Sequence, residues 1–187
     1  DGALAPVLPF FDMPPPPWLV KSRFCERPVH RTGTLLDWED TRTGNVLLKK
    51  SVFDEQHLCF DLKCETSGSD KEFFREAMDM GCRFIAVEEA PVFEIVPPER
   101  QTKGYYLRRA MVQASNERKF RAPHLRGLSR VAVPMKAAAA LAIYTLMLPF
   151  CALIGSHAVM RYAEKITYHL SWLLAMLGID LARKRDF

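Results

Sequence analysis

The chain lacks any charged side chain between Ala137 and Met160, and any acidic one between Arg118 and Lys136. The first gap exceeds the ~20 apolar residues that a helix needs to cross a bilayer. The second leaves Arg118, Lys119, Arg121, Arg126, Arg130 and Lys136 unopposed. Such a basic run suits nucleic acid or anionic lipid. Because it leads directly into a stretch of membrane length, lipid is the expected partner and nucleic acid is not. The chain also lacks a CxxC pair, and its cysteines (Cys25, Cys59, Cys64, Cys82, Cys151) are odd in number. A disulfide framework is therefore not expected, and a reduced, cytosolic setting fits best. His57 with Cys59 and Cys64 matches no standard zinc spacing, so free thiols are the expected state. No internal repeat argues for a solenoid.

What is present allows one modest domain and an appendage: 187 residues, 49% hydrophobic, with a formal net charge of +4. Pro6 to Phe11 reads as a short edge strand, because each proline removes a ladder donor. Pro14 to Pro17 reads as a rigid extended spacer leading to Trp18. Residues 21–42 are polar and aperiodic and read as a loop, followed by a short buried strand at Asn45–Leu48. Ser69 opens a helix: Ser69 and Glu72 form an S-x-x-E capping box, Phe73, Phe74 and Ala77 make its apolar face, and Gly81 stops it. Arg83–Val87 and Pro91–Val96 read as strands between breakers. A longer helix runs from Thr102 towards Asn116. The layout is mixed α/β, with too few strands for a sheet covered on both faces.

In the C-terminal third, the uncharged stretch 137–160 carries Pro149, which is expected to kink a helix. Ile166–Ile179 is a shorter uncharged segment carrying His169, of re-entrant or interfacial length. Arg161, Glu164, Tyr168 and Ser171 fall along one helical face there. The basic residues before the first segment and Arg183, Lys184 and Arg185 after the second both belong on the cytoplasmic side. Either both segments cross as a hairpin, or the first dips in and returns; a single crossing fits least well.

Among candidate chemical groups, Asp70 stands in the first turn of a helix, where a carboxylate commonly serves only to complement the macrodipole. The same position also holds a carboxylate ionised and exposed, as a general base must be. Gly44 and Asn45 read either as a turn or as a substrate contact. Arg100 opens the segment after Pro97-Pro98, and a guanidinium can clasp a phosphate bidentately. Arg108 and Arg109 follow, and are expected to face anionic lipid.

Three segments in order, Thr43-Gly44-Asn45-Val46-Leu47-Leu48, Ser67-Gly68-Ser69-Asp70-Lys71-Glu72-Phe73-Phe74 and Val92-Phe93-Glu94-Ile95-Val96-Pro97-Pro98-Glu99-Arg100, resemble the acceptor-side half of a family 2 glycosyltransferase. The similarity is to enzymes that build exopolysaccharides such as succinoglycan, and it spans roughly residues 6–116. It implies an α/β fold: the C-terminal, acceptor-side half of a GT-A Rossmann-like domain (1–117), a basic juxtamembrane linker (118–136) and a membrane-associated helical region (137–182). Within that region, one kinked, re-entrant or spanning helix is expected at 137–160 and a short amphipathic or spanning one at 161–181.

By the same resemblance Asp70 is the catalytic base. Asn45, Arg100, Gly68 and Ser69 contact substrate, and Glu94 is the candidate metal ligand. Ser67 stands where the family usually has a glycine, and Ser69 where it has the first acid of an acidic pair. The family's divalent cation, Mg2+ or Mn2+, is expected in the intact enzyme. Its ligating D-x-D motif is not in this chain: Asp37-Trp38-Glu39-Asp40 and Asp79-Met80-Gly81 have the wrong context. The expected partners are a nucleotide-sugar donor, a lipid-linked glycan or other hydroxyl acceptor, and membrane lipids at the cytoplasmic face. The chain is then expected to be a fragment without the donor-binding half. The alternative is a catalytically inactive, membrane-anchored interaction protein derived from such a fold.

Overall fold

The computed structural model describes residues 1–54, 58, 69–121, 127–179 and 181. It separates into two compact units, one comprising residues 1–12 and 25–96, the other residues 13–24 and 97–187. The architecture is mixed α/β with small sheets and about 57% helix. His57, Cys59, Cys64, Ser67, Gly68 and His124 lie outside the described residues.

The first unit is built around a three-stranded sheet in the order β3-β1-β4. Strand β1 (Gly2–Leu4) pairs antiparallel with β3 (Val46–Leu48) and parallel with β4 (Phe84–Ala86). Strand β1 runs centrally because Gly2 has no side chain: a Cβ there would meet Leu48 Cδ2 and Phe84 Cδ1 at 2.8 Å. One sheet face is covered by helix α3 (Ser69–Asp79) and its neighbours, which bury Phe73, Phe74, Ala77 and Phe84 almost completely. Phe74 meets Phe84 edge-to-face at 5.0 Å and Phe73 meets Phe74 at 5.4 Å, the geometry that aromatic quadrupoles favour. Gly81, at φ 94°, ends the α3 segment as its residue type predicts. The short helix α2 (Ser51–Asp54) contributes Val52 to the same core.

Strand alternation sends the cross-strand row Leu47–Ala3–Ile85 to the opposite face. Leu47 is 76% exposed and Ile85 41%. The sheet thus has one covered and one open apolar face. A second, two-stranded parallel sheet joins β2 (Val7–Phe10) to β5 (Val92–Ile95), so β2 is an edge strand as its prolines require.

In the second unit, Pro17 begins a short helix α1 (Pro17–Ser22) rather than ending an extended spacer; proline is favoured at a helix start because its missing N–H would be unpaired there anyway. A 3-10 turn (Pro98–Gln101) precedes α4 (Lys103–Arg121), followed by α5 (Ser129–Ile154) and α6 (Ser156–Met176). The break between α5 and α6 falls at Gly155, not near Met160. Helix α5 continues through both Pro134 and Pro149. A proline removes one intrahelical bond, whereas the φ of 135° at Gly155 leaves helical space altogether.

Helix α6 packs against α1, α4 and α5. Trp172 of α6, Ala114 of α4 and Ala137 of α5 share one buried cluster. On α5 only 11% of the most apolar stretch is buried. By length and composition α5 is the one described helix able to cross a membrane.

Candidate functional site

Asp70 is the second residue of α3, half-buried, and its Oδ1 accepts the Lys71 backbone N–H at 2.9 Å. Glu72 shares the first turn but its carboxylate pairs with Arg75 one turn on. The 3-10 turn Trp38–Asp40 packs against α3. The Lys71 ammonium lies 5.9 Å from the Trp38 ring centroid, within cation–π range. Asp70 therefore has a fixed local geometry and a face to solvent, as a base requires. Ser69 is the first residue of the same helix.

Asn45 is tied to backbone on both sides of its strand. Its Nδ2 donates to the carbonyl oxygens of Ala90 at 2.8 Å and Pro6 at 3.2 Å, and its own carbonyl accepts the Ala5 N–H at 3.0 Å. It fastens the β1–β2 link and the β4–β5 link to the start of β3. This is the turn-and-backbone reading of Gly44-Asn45, with one amide group bridging residues 39 and 45 positions away.

Glu94 is an exposed residue of β5, in register with Pro9. Among the described residues there is no group of three His, Cys, Asp or Glu side chains that could hold a metal. Arg100 lies exposed in the Pro98–Gln101 turn, whose N–H bonds to the Pro97 carbonyl at 2.9 Å. Asn45, Asp70 and Glu94 belong to the first unit and Arg100 to the second.

The second unit holds a polar seam that sequence reasoning only half found. Of the face Arg161–Glu164–Tyr168–Ser171, Tyr168 donates its hydroxyl to the Glu117 carboxylate of α4, and Ser171 is buried. His169 stacks on Tyr144 at 5.7 Å and meets Tyr168 edge-on at 5.2 Å. Lys165 places its ammonium 5.0 Å from the Tyr144 centroid. Burial pushes the Glu164 carboxyl upward against the opposing pull of Lys165 and Arg109. Burial likewise pushes His169 downward, against the pull of Glu117 and with the help of Lys165. Arg109 thus acts on Glu164, while Arg108 is exposed. Residue 117 gave no signal in the sequence because its partner lies 51 positions away.

Charge placement limits how α5 can meet a membrane. The uncharged stretch of α5, from Ala137 to Ile154, is about 27 Å long at ~1.5 Å per residue, and Tyr144 lies near its middle. Lys165 faces that ring, with Arg161 and Glu164 within a turn. A charge carried to the bilayer centre on a helix costs on the order of 2.5–3.5 kcal/mol.

Comparison with family models, characterised proteins and solved structures returned no match.

Proposed function

We propose that this chain is the acceptor-side portion of an inverting, GT-A-type glycosyltransferase similar to family 2, attached to the cytoplasmic face of a membrane. It takes part in passing a sugar from a nucleotide-diphosphate donor to a hydroxyl, most simply one on a lipid-linked glycan. The observation that carries the reading is Asp70: a half-buried carboxylate at the start of α3, anchored through one oxygen to the Lys71 N–H.

In the proposed step the Asp70 carboxylate takes the proton of the acceptor hydroxyl while that oxygen attacks the anomeric carbon. The new glycosidic C–O bond forms as the bond to the diphosphate breaks, and the anomeric configuration inverts. Arg100 is assigned to a phosphate, which its guanidinium suits. The open apolar row Leu47–Ala3–Ile85 supports the reading, since a donor-binding layer would cover it. Membrane attachment would keep the chain on the surface that carries a lipid-borne acceptor and raise that acceptor's effective concentration.

The test is Asp70→Asn in the protein as its source cell makes it. Loss of a general base lowers kcat by about 10²- to 10⁴-fold, with fold and donor affinity retained. A second reading, an inactive membrane-anchored interaction protein, is favoured by Asn45, whose amide group serves the backbone rather than a ligand. Near-normal turnover by Asp70→Asn would remove the base and favour that reading.

A further inference from the structure

We propose that α5 lies along the plane of an anionic membrane surface, its outward stripe among the acyl chains and its inward face on α6, instead of crossing the bilayer. The stripe consists of Val131, Met135, Ile143, Leu146, Phe150 and Leu153, all more than half exposed, with Leu153 at 87%. At ~100° per residue these positions fall on one side of the helix. The opposite side carries Ala137, Tyr144 and Cys151: Ala137 and Cys151 are buried, and Tyr144 meets Tyr162 and His169 of α6. The one hydroxyl near the stripe, Thr145, is bonded to the Leu141 carbonyl at 2.8 Å, so it asks nothing of a solvent.

The elements packed behind α5 weigh against a crossing. Lys165 faces the middle of α5, Arg161 and Glu164 lie within a turn, and α4 adds Glu117 and Arg109 to the same seam. If α5 ran perpendicular to the bilayer, α6 would carry that charged seam into the hydrocarbon centre beside it. With α5 in the plane, the seam stays on the water side along its whole length. An apolar stripe backed by a charged body is the pattern of an interfacial helix.

Charge chooses lipid as the occupant. Exposed Lys136 flanks the stripe, and the residues leading to it from Arg118 include no acid. Basic groups beside an interfacial helix are drawn to anionic headgroups. The inference does not depend on Asp70 acting as a base.

The test uses the full chain in sealed inverted vesicles, cytoplasmic face outward, with Lys136→Cys and Ser156→Cys each treated with a membrane-impermeant maleimide. Mass spectrometry of the peptide bearing the new cysteine separates it from Cys151. Both positions, at the two ends of α5, are expected to react without opening the vesicles. Reaction of Ser156→Cys only after the vesicles are opened or dissolved would overturn the proposal, because α5 would then cross or dip. Separately, Leu146→Glu and Leu153→Glu are expected to lower partition into vesicles containing phosphatidylglycerol by about tenfold, the ratio that corresponds to ~1.4 kcal/mol. Leu153 is so exposed that its substitution spares the fold. Unchanged partition of Leu153→Glu, or a parent chain that ignores the vesicles and pairs with itself through this stripe, would equally overturn it.

Discussion

At the scale of single residues, the sharpest constraint is at Gly2. A methyl group there meets backbone oxygen of Leu47 at 2.9 Å as well as two core side chains, so the central strand cannot accept alanine without moving. Gly2→Ala is expected to lower stability by ~1–3 kcal/mol, the usual range for overpacking, as read by chemical denaturation. Asn45 is a second such position. Asn45→Ala takes the side-chain donor from the Ala90 carbonyl and leaves the Pro6 carbonyl with the Val92 N–H alone, and is expected to cost ~0.5–1.5 kcal/mol. A substrate contact would instead show mainly as a raised KM with little loss of stability, so the two measurements together decide which duty Asn45 performs. Asp70 was legible as a first-turn carboxylate because helix starts have strong local signatures. The bridging duty of Asn45 was not, since its partners are set by strand pairing far along the chain.

At the scale of elements, most of the secondary structure could be read from breakers and periodicity. The helix at α3, its stop near Gly81 and the strands β3, β4 and β5 all rest on local patterns that the structure keeps, although β3, expected to be buried, has no buried residue because one face of its sheet is open and carries Leu47. The C-terminal helices were less legible. Charge absence over 137–160 merges the end of α5 with the start of α6, and the backbone turns at Gly155 while the helix runs on through Pro149. The polar seam has a consequence for pH. Burial holds Glu164 above its ordinary value, so its contribution to stability is complete below about pH 4.5 and is lost as pH rises through its folded pKa. Glu164→Gln is therefore expected to stabilise α6 at neutral pH, with the advantage vanishing in acid. Burial holds His169 below its ordinary value, so its contribution is present above about pH 6.5 and is lost as pH falls through its folded pKa. His169→Gln is expected to flatten that acid limb. Thermal unfolding over a pH series, followed by the helical signal, checks both signs; a parallel profile for each variant and the parent would contradict them.

At the scale of the whole molecule, a small sheet with one open apolar face and a helical unit with one apolar exposed helix are joined in one chain. Composition alone announced the second unit, because membrane-length stretches and basic runs need no tertiary context to be seen. It could not give the orientation of α5, which follows from side chains on α6 and α4. The transferase reading rests on three short segments held at family-like spacing and on where Asp70 stands. A phosphate contact at Arg100 predicts that Arg100→Ala raises KM for the donor by about tenfold, the loss of one charge-assisted interaction, while Arg108→Ala changes it little. The reverse order would move the phosphate contact to α4. The most direct test of the whole account remains sugar transfer by the protein as produced in its source cell, measured for the parent and for Asp70→Asn side by side. In Asp70→Asn, transfer is expected to fall by at least about a hundredfold while helix content and donor binding stay unchanged. Transfer that persists at the parental rate, in a variant that is folded and binds donor, would contradict it.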